Sequence, residues 1–212
     1  GVGMGAFVAN EHQYLRYLEA HPRSVSIPTQ LDLGSPWQKF GKQILVADDF
    51  VGKPETLAGR KTSIGGKVWR KDLGKGKFAL AGDGRVQVLD AKVKPYPGRT
   101  FYTLDWDNPY FADVQVDITT PVNVKSTEDT SRSGLVFYQD SQNYLLINNW
   151  MNESYGGASI SCFFHLDGCE EIYDAVWTNV GDRIGLGMTY TFRIAFDGMN
   201  YTAFVDDEPV IY

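Results

Sequence analysis

Few residues in this chain are of types and spacings that could do chemistry. Asp113-x-Gln115-x-Asp117 sets two carboxylates on one side of an alternating segment, and carboxylate pairs cleave glycosidic bonds when about 5–9.5 Å separates them. On a strand rising ~3.3 Å per residue these two stand about 13 Å apart. Short aspartates cannot close that gap, so the series reads as a solvated strand face. His165 and Glu170 flank the dipeptide Asp167-Gly168. If that dipeptide is a two-residue hairpin turn, Leu166 pairs with Cys169, His165 falls beside Glu170, and Cys162 falls opposite Tyr173. The face of His165 holds no nucleophile or metal set besides, so the His–Glu pair reads as structural. The same register leaves Cys162 and Cys169 about 13 Å out of step, beyond the ~7 Å a disulfide spans, and predicts two free thiols. Ile160, Cys162, Phe164 and Leu166, with Tyr173, Ala175 and Trp177, would then line the core.

The remaining group is aromatic and amide. Tyr138, Tyr144, Asn148, Asn149, Trp150 and Tyr155 fall around one hairpin, and Trp106 and Tyr110 bracket another loop. Ring faces stack on pyranoses and planar amides fix their hydroxyls, which makes the hairpin a candidate sugar site. Trp150 stands first, because it ends a strand beside the polar loop Met151-Asn152-Glu153-Ser154-Tyr155. No Gly-x-Ser-x-Gly elbow, His-Glu-x-x-His helix or lysine-bearing phosphate loop occurs, and His12, His21 and His165 are scattered.

Short strands must position these groups. The 212 residues include 22 Gly, 12 Phe, 12 Tyr and 5 Trp, a composition of turns between aromatic-bearing strands. A formal charge of −6 and a pI near 5.0 argue against a nucleic-acid partner. No apolar run is long enough for a membrane span. The opening Gly-Val-Gly, without initiator Met or leader, reads as a processed or recombinant terminus. Asn10, Gln13 and the spacing of Tyr14, Leu15, Tyr17 and Leu18 predict a helix over 10–20, and Pro22, Pro28, Gly34 and Pro36 an extended connector over 21–38. The chain thus divides into an N-terminal extension, 1–38, and a globular domain, 39–212.

Within that domain strand-length segments recur between turn residues: 43–50, 77–89, 100–104, 111–118, 134–138, 144–150, 159–166, 169–177, 190–196, 201–205 and 209–212. Val114, Val116 and Ile118 alternate with Asp113, Gln115 and Asp117, as in antiparallel strands over one core. No helical pattern separates the strands and no fixed-period repeat occurs. The predicted fold is all-β, a two-sheet antiparallel sandwich of jelly-roll type with a short N-terminal helix.

Several motifs carry a family resemblance. Ile44-Leu45-Val46-Ala47-Asp48-Asp49-Phe50, then Leu57-Ala58-Gly59-Arg60, Gly65-Gly66-Lys67-Val68-Trp69 and Gly76-Lys77-Phe78-Ala79-Leu80, resemble successive segments of concanavalin A-like lectin/glucanase domains, the laminin-G-like jelly rolls. Ser133–Asp140 with Asn143–Leu146 is similar to their central hairpin, and Tyr190–Gly198 with Tyr201–Val205 to their late meander. These are superfamily patterns, which imply a fold more than an activity. Such domains continue past the last hairpin into a strand that pairs with the first. Because this chain stops at Tyr212, it is either a fragment or fills that edge with its N-terminal segment.

The resemblance implies a non-catalytic carbohydrate-binding or accessory module of bacterial type, extracellular or periplasmic, with an oligo- or polysaccharide as partner and room for further domains or subunits. The alternatives it leaves open are a glycoside hydrolase or polysaccharide lyase on the same fold, and a structural or adhesion domain. Its glucanases carry Glu-x-Asp-x-Glu where this chain has Asp113-x-Gln115-x-Asp117. Lyase chemistry would draw on His165, Tyr138, Arg193 and Lys77. Many members hold a structural calcium near the first strand, which here points to Asp48 and Asp49. The candidate ligand-binding residues are Trp150, Tyr138, Asn148, Tyr155, His165 and Arg193. Lys67, Arg70, Lys71, Lys75 and Lys77 around the single acid Asp72 form a basic stretch suited to an anionic glycan.

Overall fold

The computed structural model describes residues 2–7, 14–21, 44–89, 98–105, 112–122, 132–152, 157–170, 176–180, 183–196 and 201–211. Among them every regular element is a strand: β1 Val2–Phe7, β2 Tyr14–His21, β3 Val46–Asp48, β4 Arg70–Leu73, β5 Phe78–Leu80, β6 Val86–Val88, β7 Thr100–Leu104 and β8 Ala112–Thr119 in the first half, then β9 Arg132–Asp140, β10 Asn143–Asn152, β11 Gly157–Leu166, β12 Cys169–Glu170, β13 Val176–Asn179, β14 Thr189–Phe196, β15 Tyr201–Val205 and β16 Glu208–Ile211. Two eight-stranded sheets result. The first runs β12-β11-β10-β9-β1-β7-β4, with β13 also on β11; the second runs β16-β15-β14-β8-β2-β6-β5, with β3 also on β2. Every pairing between named strands is antiparallel. Among the described residues no helix is long and apolar enough to cross a membrane.

Period-two alternation builds the core. Met4, Tyr102, Leu135, Ile147, Ile160 and Cys162 of the first sheet meet Leu18, Val114, Val116, Phe192, Ile194 and Val205 of the second in one buried cluster. Each such side chain, fully removed from water, contributes roughly 1.5–3 kcal/mol. Two polar links cross the interior. Asn149 Nδ2 donates to the Tyr190 hydroxyl at 2.7 Å, and the Phe78 amide donates to the Tyr102 hydroxyl at 3.3 Å beneath a stacked ring pair 4.7 Å apart. Burial, the main cause, pushes the Tyr190 hydroxyl well above the usual tyrosine range, so it stays protonated.

The helix expected over 10–20 is not formed, since residues 14–21 are strand β2, in the interior of the second sheet. A bulge explains the misleading period. Leu15 pairs with Ile118 and Leu18 with Val116, so one residue of β2 is extra, and exposed Arg16 lies in the irregularity. Leu15, Leu18 and Ala20 therefore all reach the core, and the three-residue step from Leu15 to Leu18 imitates a helical face. β1, likewise within the expected extension, lies between β7 and β9, with Val2 and Met4 buried.

The hairpin turn forms as its dipeptide predicts. Asp167 and Gly168 have φ of 49° and 79°, and Leu166 pairs with Cys169 and His165 with Glu170. At β13 the register differs from the one expected over 169–177: Cys162 pairs with Val176 and Ser161 with Trp177. Tyr173 and Ala175 lie outside the described residues. Neither cysteine is in a disulfide, Cys162 being buried and Cys169 exposed. Leu166, expected in the core, is exposed at the hairpin tip.

Candidate binding face

The hairpins β9–β10 and β10–β11 bring four of the six ligand-binding candidates onto the outward face of the first sheet. Tyr144 pairs with Tyr138 on one side and His165 on the other, Asn148 with Gly134 and Ser161, and Trp150 with Ser159. Alternation then sets Tyr138, His165, Asn148 and Trp150 on one side, opposite core residues Leu145 and Ile147. The rings form a row across the strands: Tyr138 and Tyr144 centroids are 6.3 Å apart, and Tyr144 stacks on His165 at 4.7 Å. Phe101, Val136, Leu146 and Phe163 complete a second apolar cluster on this face. The Tyr138 hydroxyl donates to the Asp72 carbonyl at 3.3 Å; burial first, then the Asp72 and Asp140 charges, raise its pKa.

Between the large side chains runs a row of small ones. Gly5, Gly134, Asn148 and Ser161 succeed one another across β1, β9, β10 and β11. Gly134 admits no Cβ, which would stand 2.1 Å from the Ile147 carbonyl oxygen. Asn148 is 2% exposed and Ser161 0%. Asn148 Nδ2 donates to the Asn149 carbonyl at 2.7 Å, while its Oδ1 and the Ser161 hydroxyl have no hydrogen-bond partner among the described residues. His165 Nδ1 is unpartnered in the same sense. A buried polar atom left so costs about 1–3 kcal/mol.

Two arginines flank this row. The Arg132 guanidinium lies 4.0 Å from the Trp150 ring centre on one side; on the other, Arg99 lies 5.3 Å from the Phe163 ring centre and 5.9 Å from that of Tyr144. Arg99 Nη1 donates to the Tyr144 hydroxyl at 2.9 Å and pairs with Glu170. Burial disfavours the Arg99 charge, but these two partners outweigh it and hold the cation above the usual arginine range. Arg132 is shifted down by burial and then by the like charge of Arg99, with Glu170 opposing. Sequence reasoning missed Arg99, Arg132 and Phe163 as site residues. The pairing register of β9–β10–β11 gathers Arg132 and Phe163, and Arg99 reaches them from the residue before β7, neither of which turn residues alone could fix.

Arg193 is elsewhere. On β14 in the second sheet it is 2% exposed, its Nε and Nη2 each donating to Asp113 at 2.8 Å, with Phe204 against its guanidinium at 4.8 Å. The solvated face expected at Asp113 is therefore corrected, because a buried ion pair spans β8 and β14. Glu19, which the sequence did not single out, is buried opposite Gln115, between Asp113 and Asp117 in register, and accepts from the Tyr17 hydroxyl at 2.7 Å. Burial, and then that bond, raise the Tyr17 pKa far above its ordinary value. Thr191 donates to Asp117 at 2.8 Å. Tyr155, Trp106 and Tyr110 lie outside the described residues.

The implied calcium position is taken up by protein donors. Asp48 is fully buried: Oδ2 accepts from Trp69 Nε1 at 2.8 Å and Arg60 Nε at 3.1 Å, and Oδ1 from the Phe50 amide at 3.0 Å and Arg60 Nη2 at 3.1 Å. This set does not fit a hard cation, which would need the same lone pairs with a guanidinium alongside. Asp49 is exposed and caps the turn, its Oδ1 accepting from the Val51 amide at 3.1 Å and the Ser63 hydroxyl at 2.8 Å. Those two bonds lower its pKa. The network explains the spacing of the Asp48, Arg60 and Trp69 motifs, for one carboxylate ties β3 to the loop that follows. Among the described residues no group of His, Cys, Asp and Glu is placed to hold a metal.

These sheets and their arrangement define an all-β protein, a two-sheet antiparallel sandwich. Compared with known proteins, the chain matches no family model, no curated protein and no solved structure.

Proposed function

We propose that this protein is a non-catalytic carbohydrate-binding domain of the concanavalin A-like kind its motifs resemble, and that it meets its glycan outside the cytoplasm. One observation carries the reading. Asn148 Oδ1 and the Ser161 hydroxyl stand side by side, buried and unpartnered among the described residues, on a face rimmed by the half-buried rings of Trp150, Tyr138 and His165. A sugar supplies paired hydroxyls to the first two and an apolar ring face to the others. The test is a glycan array run beside a reducing-sugar release assay on the same polysaccharides. Wild type should bind without release; Trp150→Ala, with an unchanged circular dichroism melt, should lose about tenfold or more in affinity, and Trp150→Phe should keep most of it. Absence of binding to every glycan overturns the proposal.

A glycoside hydrolase is the second reading, favoured by Glu19 in register between Asp113 and Asp117. Diagonal cross-strand neighbours lie ~7–8 Å apart, within the ~6.5–9.5 Å used by inverting enzymes. Sugar release by wild type that Glu19→Gln abolishes would replace the first reading with this one.

A further inference from the structure

We infer that the edge of the sandwich bearing Lys61, Lys71 and Lys75 is a docking strip for a linear anionic polysaccharide, whose carboxylate or sulfate groups pair with these exposed ammonium groups in succession. The inference adds a second surface to the proposed glycan reading, and the two can fail separately. Residues 60–77 hold seven of the chain's 20 lysines and arginines and one acid, Asp72. The rest of the chain carries an excess of acid, so the positive field is local to this edge. Arg60 is engaged by Asp48 and Glu55, and Arg70 by Asp72 and Asp105. Lys61, Lys71 and Lys75 are exposed and form no ion pair among the described residues.

The backbone presents the three cations in line. β4 ends the strand order of the first sheet and β5 that of the second, and residues 74–77 pass from one to the other. Lys61 is bridged to Val68, and the Trp69 amide donates to the Arg60 carbonyl at 2.8 Å, which fixes that hairpin against the run leading into β4. Val68 precedes Lys71 by three residues, up to about 10 Å of extended chain. Lys71 pairs with Tyr102 on β7. The turn carrying Lys75 is pinned on both sides: Gly74, at φ 84°, lies where a Cβ would collide with the Arg99 carbonyl, and the Gly76 amide donates to Thr100 Oγ1 at 3.0 Å. Thr100 and Tyr102 are two residues, ~7 Å, apart on β7, so Lys71 and Lys75 stand at a similar spacing. Separate point charges over such a length suit a polymer with charges repeated along it better than a single small anion. The irregular register between Lys71 and Leu73 disrupts the ladder at this edge, so the contact runs through side chains and not by adding a strand.

The experiment measures binding of the full chain to two matched pairs, polygalacturonate against its methyl ester and dextran sulfate against dextran, at about 50 and 500 mM NaCl, a span over which screening shortens from beyond 10 Å to a few ångströms. Binding to the charged member of either pair about tenfold or more tighter than to the neutral one, and weakened by salt, supports the inference, and the responding pair identifies the anion. Lys71→Gln/Lys75→Gln should cost about fivefold or more at the lower salt, while Lys71→Arg/Lys75→Arg should keep most of the affinity. Arg183→Gln removes a cation paired with Glu208 on β16, at the opposite end of the second sheet from β5, and should change little. Thermal melts of the variants exclude a folding defect. Equal binding of charged and neutral members, no binding to either charged one, a loss in the double lysine variant no greater than in Arg183→Gln, or duplex DNA bound as tightly as the polysaccharides each overturns the inference. Glycans bound through Trp150 while both polyanions are refused sink the strip alone; polyanion binding lost in the double lysine variant and untouched by Trp150→Ala, with no glycan that depends on Trp150, sinks the ring-face reading alone.

Discussion

Replacing Asp48 by Asn is the sharpest test of how the loop after β3 is held. The substitution keeps size and shape and removes the charge that Arg60 and Trp69 share. In whichever orientation the amide settles, an N–H donor replaces an acceptor, facing either Trp69 Nε1 and Arg60 Nε or the Phe50 amide and Arg60 Nη2. Breaking a buried ion pair costs about 3–5 kcal/mol. Arg60 retains some solvent contact and further partners in the Val51 carbonyl at 3.0 Å and Glu55 at 3.4 Å, so the lower end, about 3 kcal/mol, applies. At ~2–4 °C per kcal/mol for a chain of this size, Tm should fall by roughly 6–12 °C. Calorimetry and urea unfolding measure it, and Asp48→Asn/Arg60→Met should be no less stable than Asp48→Asn alone, because the partner charge goes too. Adding calcium or chelator should move neither protein. A shift under 2 °C (about 0.5–1 kcal/mol by the same conversion), strictly additive losses, or a calcium-dependent rise in Tm that Asp48→Asn abolishes would refute the reasoning.

Two further outcomes are expected. Asp113→Asn should cost about 3–5 kcal/mol in urea unfolding by removing the carboxylate charge that buried Arg193 meets on β8, whereas Asp113→Leu/Arg193→Met should recover most of that stability. Thiol titration without reductant should find one fast equivalent in the folded protein, Cys169, and a second, Cys162, only in denaturant; two fast equivalents, or fewer than two after unfolding, would contradict the structure.

The strands from Thr100 onward were legible because alternation and turn residues are local signals. Val114, Val116 and Ile118 announce their face, and Asp167-Gly168 announces its turn. What stayed hidden depends on partners far away in sequence. β2 carries the apolar residues of a strand, but the bulge at Arg16 shifts them into a helix-like spacing. Asp113 looks solvated on β8 alone and becomes an ion-pair partner only when β14 brings Arg193 beside it. The candidate site divides similarly. Tyr138, Asn148, Trp150 and His165 share a hairpin environment visible from sequence, whereas Arg99 and Arg132 join them through side chains reaching across strands. The pairing of Val176 with Cys162 could not be read from the turn, because the register set there does not persist to β13.

The positions of β1 and β2 shape how the protein must fold. Val2 pairs with Leu104 and Phe137, and Leu18 with Asp48 and Val116, so neither strand closes a local hairpin. Both sheets remain in halves with open edges until these long-range closures are made, which predicts slow folding for so β-rich a chain. Once seated, the two strands occupy the interior of opposite sheets, each with a neighbour on both sides. Neither sheet can keep its ladder if its early strand is drawn out, so unfolding should proceed as a single cooperative event.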